Sequence, residues 1–270
     1  MISCKYNINL TLSHTESMDI SLVQLNTFMY AWIGLAIVII PIQFFITAPY
    51  GRHYNTAWGK SMSNRWGWVI MEAVSIIGLS ILFLSAPGEK SIFAWVAYGL
   101  WALHYVYRSF IFPFRTRTKD KLIPIGIVAS AIFFNVINAG TNGYYLGYME
   151  IYTNDWFFDL RFIIGIILFI TGMLINFFAD NYLIHLRNGN PNVYLIPRGG
   201  LFEYISCPNL FGEIIEWLGF AIMCWNLPAL GFAVWTVANL VPRAWSHHKW
   251  YRKTFSDYPK KRKAIFPGLL

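Results

Sequence analysis

The chain has 270 residues and a mass of 31.2 kDa. Hydrophobic residues make up 56% of it, aromatic residues 19% and charged residues only 13%, whereas soluble domains carry roughly 25% charged residues. With a mean hydropathy of +0.45, this composition excludes a soluble globular enzyme, a disordered chain and a secreted disulfide-rich scaffold, and it predicts a helical protein that crosses a membrane several times.

Seven segments are apolar and long enough to cross a bilayer core, which takes about 20 residues per helix. They are 22–47, 66–84, 92–112, 122–139, 160–183, 210–225 and 229 to about 245. The sixth segment is short and carries two carboxylates. The sequence therefore predicts an all-α fold with a single transmembrane domain over residues 1–270, a polar N-terminal segment at 1–21 and a basic tail at 243–270.

The charges in the connections predict the orientation in the membrane. The loop between the first two segments and the loop between the third and fourth each carry a net +3, and the tail carries +7, whereas the loop between the fourth and fifth carries −3. Positive charge is enriched on the cytosolic side, so we expect the N-terminus outside and the C-terminus in the cytosol. The net charge of +8 then reflects topology, and we expect membrane lipids, not nucleic acid, as partners.

The cysteines and the common motifs exclude several kinds of site. Cys4, Cys207 and Cys224 show no CxxC pair and no histidine at metal-ligand spacing, so we expect neither a metal nor a disulfide framework. The chain also lacks the glycine-rich motifs of Rossmann and P-loop nucleotide sites and the HExxH and GxSxG motifs of hydrolases. A nucleotide would have to be held by another arrangement.

Ionisable and amide residues recur inside the apolar segments, where they are costly and indicate a functional site. Glu72 lies within the second segment, and Tyr105 and Arg108 share one face of the third. Three further helical faces combine residues that are three, four or seven positions apart: Asn176, Asp180 and Arg187; Asn209, Glu213 and Glu216; and Arg243, His247 and Tyr251.

Spacing alone leaves two interpretations of these faces open. They are interhelical polar pairs that hold the bundle together, or they surround a cavity, open to the cytosol, that binds a large polar ligand. Four polar faces at one depth favour the cavity. A dinucleotide fits the mixture of cations, carboxylates and amides.

Two long motifs occupy the C-terminal third of the chain. They read PRGGLFEYISCPNLFGEIIEW at 197–217 and RAWSHHKWY at 243–251, and the second is followed by DYPKKRKA at 257–264. Shorter ones are DLRF at 159–162, GMLIN at 172–176 with Asp180, and His104 and Tyr105 with Arg108. These motifs closely resemble the steroid 5α-reductase family, the 3-oxo-5α-steroid 4-dehydrogenases. The similarity runs from about Tyr50 to the C-terminus and is weakest before residue 100.

The resemblance implies a seven-helix membrane reductase that uses NADPH. In that family, hydride adds to C5 of a 3-oxo-Δ4 steroid, which reaches the site from the bilayer, and a proton adds to C4. Tyr105 and Glu72 match the family's catalytic pair. We expect the Tyr105 phenol to donate to the carbonyl oxygen as enolate charge develops, and Glu72 to hold that phenol or share its proton. We also expect a monomer.

The resemblance further implies which residues hold the cofactor. They are Arg108, Arg117, Lys119, Asn176, Asp180, Arg187, Tyr194, Asn209, Glu213, Arg243, His247 and Tyr251. Arginine would pair with the phosphates because its guanidinium offers a bidentate fork. Which cation contacts which phosphate stays open.

Four positions depart from the family pattern, and one of them is Lys119, which stands where some members have Arg. Met71 stands where the family often has Gln, directly before the carboxylate of Glu72, and this affects steroid preference more than the reduction itself. Leu195 replaces a basic residue, and Arg198 replaces a Gln and returns a positive charge nearby.

Other functions stay open on the sequence. The same scaffold suits a double-bond reductase of enoyl-thioester or polyprenol-type lipids, and an isoprenylcysteine-type membrane methyltransferase has a similar C-terminal cofactor region. A lipid-binding scaffold protein without activity is the remaining alternative. The topology fits the endoplasmic reticulum and a bacterial inner membrane equally.

Overall fold

The computed structural model of the chain describes residues 20–116, 120–186 and 194–270, which are mostly helical. The elements are α1 Leu22–Phe45, β1 Ser61–Ser63, α2 Asn64–Ser85, α3 Ile92–Val106, α4 Phe112–Arg115, β2 Leu122–Pro124, α5 Ile125–Tyr144, α6 Leu160–Leu186, α7 Pro208–Cys224 and α8 Leu227–Thr254. The predictions for residues 1–19, Arg117, Lys119 and Arg187 lie outside the described ranges.

Within the described ranges, four helices are long and apolar enough to cross a membrane: Leu22–Phe45, Asn64–Ser85, Ile125–Met149 and Leu160–Leu186. They confirm the first, second, fourth and fifth predicted segments as apolar helices. The third, sixth and seventh segments are also helical, as α3 with α4, α7 and α8. Helix α8 continues unbroken from Leu227 to Thr254, so the first part of the predicted basic tail is helical.

A short two-stranded ribbon is a feature that the all-α prediction missed. β1 and β2 pair antiparallel, with Ser61 opposite Pro124. The amide of Asn64 donates to the carbonyl of Lys121 at 2.8 Å, so the ribbon holds the first turns of α2 and α5 side by side. Strands of three residues are too short to show a period of two in the sequence.

Helices α6 and α7 are in backbone contact through glycines. A Cβ atom on Gly172 would lie 2.2 Å from the amide nitrogen of Glu216, and one on Gly212 would lie 2.5 Å from an amide nitrogen of α6. Gly165 and Gly219 make the same kind of contact further along. Small residues allow close approach of helices in membranes. The approach places the polar faces of α6 and α7 directly against each other.

Between α3 and α4 the chain forms a π-helical turn, Tyr107–Ile111. Pro113 has no N–H with which to bond the carbonyl of Ser109 four residues earlier, and a π turn is a common way to absorb such a break. Arg108 lies buried within this turn. The widened turn thus directs a cation into the middle of the bundle.

Candidate active site

Two cavities adjoin in the interior of the bundle. One has a volume of about 240 Å³ and is bordered mainly by charged, amide and aromatic side chains; we call it the polar cavity. The other, of about 500 Å³, is mostly apolar and lies among α1, α2, α3, α5, α7 and α8; we call it the apolar cavity. Both are lined by Tyr50, Trp68, Arg108, Glu213, Leu240 and Arg243. The two cavities therefore share a common wall.

One wall of the polar cavity is a hydrogen-bonded network across α6 and α7. The Asn209 side-chain amide donates to Asp180 at 2.9 Å. The Asn176 amide donates to the backbone carbonyl of Asn209 at 3.0 Å and to Glu213 at 3.4 Å. Asp180, Asn209 and Glu213 line the cavity, whereas Asn176 lies behind them. The predicted faces of these two helices are thus brought together, with Asn176 as a support.

Arg108 lies where the two cavities join. Its Nη1 is 3.5 Å from Oδ2 of Asp180 and its Nη2 is 3.9 Å from Oε2 of Glu213. The guanidinium also lies over the rings of Trp68, at 5.1 Å, and Phe112, at 4.6 Å. A buried cation needs such partners to offset its desolvation. The two acidic groups also keep Arg108 fixed between the cavities.

Arg243 holds the opposite wall, which residues 46–60 form. Its Nη1 donates to the carbonyl of Ala48 at 2.6 Å and its Nη2 to the carbonyl of Tyr50 at 2.9 Å. The guanidinium lies 3.8 Å from the centre of the Tyr50 ring. Arg243 lines both cavities, and its guanidinium binds the backbone of segment 46–60.

His247 makes a second contact to the same segment. Its Nδ1 lies 3.0 Å from Nε2 of His53, and the two rings stack at 5.0 Å. Burial, together with the positive charges of Arg243 and Arg52, lowers the pKa of His53 to about 4. A neutral His53 allows one of the two imidazoles to donate to the other. His247 lines the polar cavity, so this pair closes one side of it.

Arg52 lines the polar cavity, although in the sequence it stands out only as one of the loop charges. Its guanidinium lies over the rings of Tyr194, Trp250 and Tyr251, at 5.2, 4.8 and 4.7 Å. Its Nη1 atom is buried and has no hydrogen-bond partner within the described residues. Buried donors are nearly always paired, so this one indicates a ligand in the polar cavity.

Tyr194 and Tyr251 occupy different positions relative to the polar cavity. Tyr194 lines it and accepts a hydrogen bond from Lys121 at 3.2 Å. Tyr251 does not line it; it is buried behind Arg52 and stacks on Tyr258 at 5.2 Å. Its spacing from His247 places it on the same face of α8 as His247, but its side chain lies behind the residues that line the cavity.

The apolar cavity contains the predicted catalytic pair. Glu72 and Tyr105 both line it, and Tyr105 is buried. Met71 lines it too, and its backbone carbonyl accepts a hydrogen bond from the Asn135 side chain at 2.6 Å. The substitution of Gln by Met therefore falls on the cavity wall. Arg198, by contrast, is exposed and lines neither cavity, so it does not restore a charge there.

His104 and Glu216 form a buried pair behind Tyr105. Nδ1 of His104 lies 2.8 Å from Oε1 of Glu216, and the imidazole packs against the Tyr105 ring at 5.0 Å. Neither residue lines the polar cavity or the apolar cavity. Glu216 thus belongs to the support of the site, although its spacing placed it on one face with Asn209 and Glu213.

Comparisons with known proteins agree with this arrangement. The profile of the family described as 3-oxo-5-alpha-steroid 4-dehydrogenase matches residues 121–270. Steroid 5-alpha-reductase DET2 of Solanum lycopersicum is 42% identical over 229 residues, which are 83% of this chain and 89% of that protein. The 3-oxo-5-alpha-steroid 4-dehydrogenase 1 of Bos taurus is 36% identical over 252 residues, 91% of this chain and 97% of that protein. Its namesake from Homo sapiens is 39% identical over 222 residues, covering 82% and 85%.

Proposed function

From the premise that this chain belongs to the steroid 5α-reductase family, we propose that it reduces the Δ4 double bond of 3-oxo-Δ4 steroids with NADPH. Membership makes the chain an oxidoreductase that acts on CH–CH groups, which favours reduction over the methyltransferase and scaffold alternatives. The observation that carries the proposal is the pair of adjoining cavities. One suits a charged cofactor, the other suits an apolar substrate, and both reach Arg108 and Glu213.

The residues of the polar cavity fit a dinucleotide phosphate. Its cations are Arg52, Arg108, Lys121 and Arg243, and its carboxylates are Asp180 and Glu213. Guanidinium and ammonium groups recognise phosphate oxygens, and Arg52 has a buried donor without a partner among the described residues. Asn209 and Tyr194 add amide and phenol groups for a ribose or a carboxamide.

When bound, NADPH supplies the hydride that adds to C5. The chain's own task is to stabilise the negative charge that then develops on the C3 oxygen of the steroid. Tyr105 is the donor for this oxygen, and Glu72, on the same cavity wall, holds the phenol or shares its proton. A donor placed at a developing oxyanion changes the rate by about 10² to 10³.

We propose that all seven predicted segments cross the membrane, with α3 and α4 forming one span and the C-terminus in the cytosol. The apolar cavity is lined by α1 and α5, two of the helices apolar enough to face lipid. A steroid can then reach Glu72 and Tyr105 from the bilayer. The polar cavity lies on the side of the basic loops, where cytosolic NADPH is available. The account requires only one copy of the chain.

The experiment is NADPH oxidation by detergent-purified protein, with and without testosterone or progesterone, and with identification of the steroid product. A 5α-dihydro steroid formed together with NADP⁺ is the expected result, and it would show that Met71 is compatible with steroid reduction. NADPH binding without steroid turnover would indicate that the substrate is an enoyl-thioester or polyprenol-type lipid. Absence of NADPH binding by folded protein would refute the proposal.

A further inference from the structure

An amide pair lines the apolar cavity on helices other than those that carry Glu72 and Tyr105. Gln43 comes from α1 and Asn239 from α8, and both border the cavity. Nε2 of Gln43 donates to Oδ1 of Asn239 at 3.0 Å. The catalytic pair comes from α2 and α3, so the cavity has two polar positions that are supplied by different helices.

The pair leaves hydrogen-bonding capacity unused. An amide side chain has two N–H donors and one carbonyl acceptor, and one contact links the two residues. Within the described residues neither side chain has another hydrogen-bond partner. At least one donor and one acceptor therefore remain free, and this holds even if both amides are flipped.

The surroundings make these free groups unusual. The cavity lining includes apolar side chains such as Ile39, Ile46 and Trp235, together with the polar side chains of Thr47, Thr236 and Arg243. Both amides are only partly buried because they face the cavity. A polar group in such a place is costly unless a ligand or water satisfies it. A neighbouring donor and acceptor together match a hydroxyl group, which both donates and accepts.

Resting on the proposed function, we infer that Gln43 and Asn239 select steroids that carry a hydroxyl group at the end remote from the C3 carbonyl. The carbonyl is held by Tyr105 and Glu72, and the remote hydroxyl bridges the free groups of the amide pair. A ketone at the same position accepts but cannot donate, and a hydrogen atom there does neither. The expected order of preference is therefore hydroxyl, then ketone, then the deoxy compound.

The test compares testosterone, androst-4-ene-3,17-dione and androst-4-en-3-one, which differ only at the remote end. For each, kcat/KM and the dissociation constant are measured, the latter by quenching of cavity tryptophans. In wild-type protein we expect testosterone to be preferred over the deoxy steroid about tenfold, the typical value of one buried hydrogen bond. Asn239→Leu and Gln43→Leu should each reduce this ratio severalfold. The double variant should lose little more than either single one, because the two amides act as a unit.

The matched control is Ser130→Ala. Ser130 lines the same cavity, but its hydroxyl already donates to the carbonyl of Ile127 at 2.9 Å, so the ratio should stay unchanged. Binding separates this inference from the proposed function. Binding that prefers testosterone and depends on Asn239, but without turnover, supports the inference and refutes the reduction. Turnover with the same ratio in wild type and Asn239→Leu refutes the inference and leaves the reduction intact. Absence of steroid binding refutes both.

Discussion

The two walls of the polar cavity are built in different ways. On the α6–α7 wall, glycines bring the helix backbones into contact, and amide and carboxylate groups pair across the interface. On the other wall, segment 46–60 has little regular structure and is held by side chains of α8, namely Arg243 and His247. The first wall is therefore preformed by helix packing, whereas the second wall depends on a few polar contacts at the mouth of the cavity.

The largest effect is expected from a substitution that disrupts the preformed α6–α7 wall. Gly172→Ala places a methyl group where backbone atoms of α7 now lie, 2.2 Å from the amide nitrogen of Glu216. Because backbone cannot rotate away, we expect a loss of about 3 kcal/mol in stability, measured as a lower thermal midpoint in detergent. The control is Gly99→Ala on α3, where a Cβ atom meets nothing within 4 Å. Equal midpoints for the two variants would contradict the packing argument.

The next effect concerns the apolar cavity. Tyr105→Phe removes the donor proposed for the enolate oxygen, so we expect kcat to fall by about 10² to 10³ with an unchanged dissociation constant for NADPH. Tyr98→Phe is the matched control, since Tyr98 lies on the same helix, lines neither cavity and contacts Ser80 at 3.1 Å. A Tyr105→Phe variant with wild-type kcat would exclude the phenol as the donor.

A smaller effect concerns the second wall. Arg243→Lys keeps the positive charge but cannot make the two-nitrogen contact to Ala48 and Tyr50. We expect NADPH to bind about tenfold more weakly, since each such hydrogen bond contributes about 1 kcal/mol, and residues 46–60 to be cleaved faster in limited proteolysis. Lys249→Gln serves as the control because Lys249 is exposed on the same helix. Unchanged proteolysis would show that Arg243 does not hold the segment.

The smallest effect is a pH dependence of the same wall. The pKa of His53 is about 4 in the folded protein and about 6.5 in an unfolded chain. The unfolded state therefore binds more protons between these values, so the stabilisation is complete above pH 6.5 and is lost as the pH falls towards 4.

His53→Gln should remove this dependence. Because His53 is only partly buried, we expect its pKa shift to contribute about 1 kcal/mol to the free energy of unfolding. This corresponds to roughly 3 °C in the thermal midpoint. When the pH is lowered from 7.5 to 5.0, the thermal midpoint of the wild type should fall by about 3 °C more than that of the variant. An equal loss in both proteins would show that His53 is not held neutral.

The C-terminal motifs predicted the preformed wall well. Helical spacing grouped Asn176 with Asp180 and Asn209 with Glu213, and these residues do meet. Spacing did not show depth, so Tyr251 and Glu216 were placed on the right faces but do not line the cavity. Depth depends on which helix packs against a face, and that is a tertiary property.

Most contacts of the second wall could not be predicted from the sequence. Arg52 and Lys121 look like ordinary loop charges, because segment 46–60 and the short ribbon have no hydrophobic period that would fix their place. Arg243 was expected at a phosphate, yet its nearest partners are backbone carbonyls of Ala48 and Tyr50. A loop that folds back onto a helix leaves no local pattern, so its contacts become visible only in the folded chain.

The central claim is that hydride passes from NADPH to C5 of a 3-oxo-Δ4 steroid where the two cavities meet. The most direct test uses NADPH carrying deuterium at nicotinamide C4, in each of the two stereochemical forms, with testosterone and purified protein. The account predicts that one of the two forms yields 5α-dihydrotestosterone with deuterium at C5, and that reaction in D₂O with unlabelled NADPH places deuterium at C4. A reduced steroid without deuterium from either form of labelled NADPH at C5 would contradict it.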